Sequence, residues 1–89
     1  MSEAVFRELF AKARAVKAGG RDAFGVLSTG EQLAVALVLD RADWITECGY
    51  TLVDAIQRIG PVWLAELPYV AEALKEDHAP AAPAGPTTP

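Results

Sequence analysis

Ser28-Thr29-Gly30-Glu31-Gln32-Leu33-Ala34-Val35-Ala36-Leu37-Val38-Leu39 places seven consecutive apolar residues behind a serine–x–x–glutamate start. Ser28 and Glu31 have the spacing of a capping box, in which each side chain accepts from the other residue's backbone N–H. A buried β-strand is the competing reading, because an apolar run of this length carries no period of its own. Leucine and alanine dominate the run, with only two β-branched valines, which favours helix. No second segment reads as a strand able to pair with it, and a lone strand leaves its backbone groups unsatisfied. The spacing predicts a helix over residues 30–41. A helix apolar on every side has to be wrapped by other helices or by a second chain. The expected fold is therefore all-α: a small bundle of four to five short helices around a buried central helix.

Upstream, Phe6, Leu9, Phe10, Ala13 and Val16 recur at helical spacing, with Arg7, Glu8, Lys12 and Arg14 off that stripe. This predicts a helix over residues 3–18, packed across the central one. Gly19-Gly20 ends it, since glycine takes the left-handed conformation without steric penalty. Arg21 to Leu27 then reads as a connector whose Phe24, Val26 and Leu27 turn into the core, with Gly25 permitting a bend.

Downstream, Asp43 is placed to cap a short helix from Trp44 to Cys48, closed by Gly49. Thr51-Leu52-Val53-Asp54 is a second capped start, opening a helix through Ile59 that Gly60 stops. Leu52, Ala55, Ile56 and Ile59 are its inward positions. Pro61 suits the first turn of a last helix, where its missing N–H would be unpaired anyway. In that helix Trp63, Leu67, Val70 and Leu74 form a short heptad-like seam. Pro68 interrupts it and predicts a kink or a break. From Asp77 onward Pro80, Pro83, Pro86 and Pro89 recur every third residue, the repeat of a polyproline II helix. The expected organisation is one helical domain over residues 1–76 and a disordered tail over 77–89.

The chain has 89 residues, 52% of them apolar, but many are alanine and the large anchors are seven aromatics. That size sits near the lower limit for a single core without staples. One cysteine forms no internal disulfide, the start shows no secretory signal, and the longest apolar run falls far short of the roughly 20 residues of a membrane span. A cytoplasmic protein without membrane attachment is expected. Charge is unevenly placed: residues 1–21 carry +3 and residues 22–89 carry −7. A basic first helix facing an acidic remainder, in this chain or a neighbour's, accounts for that asymmetry.

Candidate chemistry is sparse. His78, the sole histidine, falls in the proline-rich stretch rather than in a fixed, water-poor setting. Cys48 lies beside Glu47 near a helix C-terminus, where the dipole disfavours thiolate. Asp40, Asp43 and Glu47 cluster at a helix junction, and oxygen ligands suit a hard cation, but no calcium-loop spacing accompanies them. Gly19-Gly20 and Gly25 lack the preceding strand and the lysine of a phosphate loop. No catalytic residue, cofactor or metal is expected.

The segment from Trp44 to Ile59 has a short helix, a glycine turn and a capped helix, and so resembles a helix-turn-helix. In that alternative the chain is a DNA-binding transcriptional regulator reading the major groove through Thr51, Gln57 and Arg58. Asp43, Glu47 and Asp54 oppose it, because phosphate contacts supply much of DNA affinity. Cys48-Gly49-Tyr50, with Ala55 at matching spacing, also resembles the methionine–glycine–aromatic loop of ubiquitin-associated three-helix domains. Cys48 stands where that family has methionine, and Pro68 falls in its third helix, so no function is carried over from it.

The favoured expectation is a small non-catalytic interaction protein: an adaptor, inhibitor or complex subunit whose partner is another protein or a second copy. Its expected contact residues are Arg7, Lys12 and Arg14 on the first helix, and Trp63, Leu67, Val70 and Leu74 on the last.

Overall fold

The computed structural model describes residues 3–78, which form five α-helices: α1 (Glu3–Gly25), α2 (Thr29–Val38), α3 (Ala42–Glu47), α4 (Leu52–Ile59) and α5 (Pro61–His78). No strand occurs among the described residues. The predicted all-α bundle with a central helix is the fold observed, and α2 packs against each of the other four helices. Ser28 Oγ accepts from the Glu31 N–H while Glu31 accepts from the Ser28 N–H, so the capping box forms as expected. Leu33, Ala34, Val35 and Ala36 are at most 1% exposed, so four successive positions around the helix are shielded. Leu37, Val38 and Leu39 are only half-buried. The spine is therefore closed through its middle and opens in its last turn.

That helix stops short of the predicted Arg41. Asp40 adopts the left-handed conformation (φ 60°), its N–H donates to Leu37 O at 3.1 Å, and the Arg41 N–H donates to Ala36 O at 2.8 Å. This is a Schellman end, with aspartate in the place glycine normally takes. The end of α3 repeats it with glycine: Gly49 (φ 88°) donates to Thr46 O at 2.9 Å and Tyr50 to Ile45 O at 3.2 Å. At the start of α3 Asp43 is not the cap. The helix begins at Ala42, and Asp43 lies in its first turn, bonded to Arg41.

α1 turns at Gly20, whose φ of 67° and ψ of −148° lie in a region essentially closed to other residues. Before the turn, Leu9, Ala13 and Val16 are buried, and α1 packs on α2 and α5. After it the helix resumes to Gly25, about two turns beyond the expected end and through most of the expected connector, and sets Phe24 against Trp44 with ring centroids 4.5 Å apart. Phe24 is buried and Leu27 half-buried, as the sequence suggests, but Val26 is 82% exposed. Gln32 knits the junction, donating to Phe24 O at 3.0 Å and lying 3.8 Å from Cys48 Sγ.

α4 opens on the predicted threonine box, with Asp54 N–H to Thr51 Oγ1 at 3.0 Å. Its burial departs from expectation. Ala55 is buried and Ile59 half-buried, whereas Leu52 and Ile56 are exposed. α5 begins on Pro61 and runs unbroken through Pro68. Pro68 is exposed, so the backbone bond it removes is lost away from the core. α5 buries Val70, Leu74 and the carboxylate residue Glu66, and it continues to His78, two residues past the predicted domain end. The remainder of the predicted tail, 79–89, lies outside the described residues.

Candidate interaction surface

The predicted contact residues do not form one surface. On α1, Arg7 pairs with Glu3 at 2.8 Å, one helical turn away and in water. Lys12 stands 3.7 Å from both Glu8 and Glu31, tying α1 to α2. Arg14 is exposed on the same helix. The exposed Arg7–Glu3 pair contributes at most about 1 kcal/mol. The α5 seam is turned inward: Val70 and Leu74 are buried, and Trp63 and Leu67 are half-buried against the same core cluster. Val70 and Leu74 are thereby core residues, while Trp63 and Leu67 keep part of their surface in solvent.

The residues of the DNA-reading alternative do not converge either. Thr51 Oγ1 is occupied as a helix cap, Gln57 borders a groove toward α5, and Arg58 lies in the last turn of α4, facing a small hollow with Ser28 and Glu31. Beside exposed Asp54, Gln57 and Arg58, α4 shows solvent Leu52, Val53 and Ile56, apolar side chains with nothing to give a phosphate.

The acidic junction is neutralised from within. Arg41 binds Asp43 bidentately, Nε to Oδ1 at 3.1 Å and Nη2 to Oδ2 at 2.9 Å. That hydrogen bond holds the Asp43 carboxyl below its ordinary range and raises the Arg41 guanidinium above its own. Arg21 pairs with Glu47. Among the described residues no three His, Cys, Asp or Glu side chains come together as a metal site. Both guanidiniums also lie over Trp44, Arg41 at 4.3 Å and Arg21 at 5.1 Å from the ring centroid. They flank a cleft of about 650 Å³ between the bend of α1 and α3. With its carboxylates already hydrogen-bonded by arginine, this cleft is a brace between helices.

The surface that sequence reasoning misses is the outer side of α4. Leu52 is 49% exposed, Val53 65% and Ile56 44%. Ile56 continues into a groove of about 560 Å³ lined with Gln57, Gly60, Pro61, Leu64 and Ala65, where α4 meets α5. The signal is visible in retrospect. Leu52, Val53, Ala55, Ile56 and Ile59 span more than one face of an eight-residue helix, more than a single packed side covers. Among the described residues no helix is long and apolar enough to cross a membrane. Comparison of the chain with known protein families, with curated proteins and with solved structures finds no match.

Proposed function

We propose that this chain is a small non-catalytic interaction module, an adaptor, inhibitor or complex subunit acting in the cytoplasm, that docks its partner on the outer side of α4. The observation that supports this is the contiguous apolar surface of Leu52, Val53 and Ile56, running into the groove at Gly60 and Pro61. Apolar side chains left in water beside a groove suit the apolar stripe of another helix, from a second copy or a different protein. The short α4 is fixed at both ends, by the Thr51 box and by Gly60, so the surface is held in place before a partner arrives. Pre-ordering of this kind reduces the entropic cost of association.

Site-specific photo-crosslinking in the native cell tests the proposal. A photoreactive side chain at Val53 is expected to give a discrete protein adduct, and one at Ala15 on exposed α1 is not. An adduct of twice the chain mass identifies a homodimer. Equal labelling from both positions, or none from Val53 in a folded protein, overturns the docking surface.

A further inference from the structure

The cleft between the bend of α1 and α3 has features that bracing alone does not require. Its volume of about 650 Å³ lies within the range of small-molecule sites. Val16, Leu39 and Trp44 give it an apolar lining, and five charged side chains border it. Lys17, Arg21 and Arg41 are matched there by only Asp43 and Glu47, which leaves one positive charge over in a chain whose net charge is −4. The surplus belongs to Lys17. Arg41 is held by Asp43 and Arg21 by Glu47, whereas Lys17 makes no ion pair with another described residue.

The arginine brace also fixes a plane. Asp43 binds Arg41 at the edge of the guanidinium, through Nε and Nη2, and the Trp44 ring centroid lies 4.3 Å from it. A guanidinium held at its edge by a carboxylate and on one side by a ring keeps its second side for another flat group. The arginine is already immobilised, so stacking on it costs little further side-chain entropy. Both carboxylates are occupied by arginine, and neither opposes an incoming anion as an unpaired charge.

We propose that this cleft binds a planar aromatic monocarboxylate, with its ring on the open side of the Arg41 guanidinium and its carboxylate on the Lys17 ammonium. The ring extends the Trp44–Arg41 stack and places the cation between two π faces. The single charge of the ligand equals the charge left over in the cleft. An aliphatic acid would forgo the stack, and an uncharged ring would forgo Lys17. The site shares no residue with the outer side of α4, so either reading can fail without the other.

Titration of the isotopically labelled full chain at low salt, followed by nuclear magnetic resonance, tests the proposal with 2-naphthoate as the probe. Saturable shifts are expected at Lys17, Gly20, Arg41 and the Trp44 indole N–H, with a dissociation constant of about 1 mM or tighter. 2-Naphthamide, the same ring without the charge, is expected to bind about three- to fivefold more weakly, the worth of an exposed charge contact. Lys17→Gln, a change at an exposed position, is expected to cost naphthoate the same factor and naphthamide nothing. Arg41→Lys keeps the charge and loses the plane, and is expected to abolish the preference for naphthoate over cyclohexanecarboxylate. Equal binding of naphthoate and naphthamide overturns the proposal, as does a Lys17→Gln variant that binds naphthoate as tightly as the unsubstituted chain. So do shifts centred on Val53 and Ile56, because the ring then sits on the apolar side of α4 instead.

Discussion

α2 and α4 start alike and end up differently. Each opens on a hydroxyl–x–x–acid box with both reciprocal bonds formed, and each is short and rich in apolar residues. Yet α2 has four consecutive buried residues, whereas α4 buries only Ala55 and leaves Leu52, Val53 and Ile56 in water. The contrast separates two decisions made at different ranges. Local chemistry decides that a helix begins. Neighbours decide what it hides, and α2 touches four helices where α4 is packed only by α2, α3 and α5.

The largest effect expected from this contrast is at its centre. Leu33→Ala removes a fully buried leucine side chain and is expected to cost about 2–5 kcal/mol in chemical denaturation. Leu52→Ala, a half-exposed leucine on the matched helix, is expected to cost at most about 1 kcal/mol. Equal losses would mean that α4 is covered in solution. Next is Gly20→Ala, which forces a side chain into the conformation at the bend of α1 and is expected to cost about 1–3 kcal/mol. Because it releases Phe24 from Trp44, the loss should appear in tryptophan emission as well as in helicity.

The two caps compare the helices more finely. Ser28→Ala and Thr51→Ala each remove one hydroxyl acceptor, a change of about 1 kcal/mol. For Ser28 the loss is expected in global unfolding, because α2 cannot fray without opening the core. For Thr51 it is expected as faster amide exchange confined to α4. Asp40→Gly relieves a left-handed non-glycine residue and is expected to raise stability by about 1 kcal/mol.

The smallest effect is a pH effect. Asp43 has a folded-state pKa below its unfolded one, so its pairing with Arg41 adds stability above the ordinary carboxylate range. That contribution is lost as pH falls through the lowered value. The pair is in water, so the change is slight and is best read from the carboxyl carbon by titration. Arg41→Gln is expected to return the Asp43 midpoint upward.

What was legible in the sequence follows the same division of range. Ser28–Glu31, Thr51–Asp54, the turn at Gly20 and the start at Pro61 are motifs of a few residues, and each forms where expected. The Schellman end at Asp40 was hidden because aspartate there replaces the glycine that would mark it. Reading Asp43 as a cap failed because Arg41, two residues back, claims its carboxylate. The exposed apolar side of α4 was illegible for a reason of longer range. An apolar stripe on α4 looks the same whether or not another helix lies over it, and Trp63, Leu67, Val70 and Leu74 look equally available until α1 and α2 are seen against them.

Among the described residues no α-carbon of α1 comes within 8 Å of one in α3, and the two helices meet only through side chains: Phe24 on Trp44 and Arg21 on Trp44 and Glu47. A seam made of rings and guanidiniums, without close backbone approach, has less to lose on parting than the tightly nested middle of the bundle. Slow opening of the molecule should therefore begin there, with deuterium entering α3 well before it reaches Leu33 to Ala36.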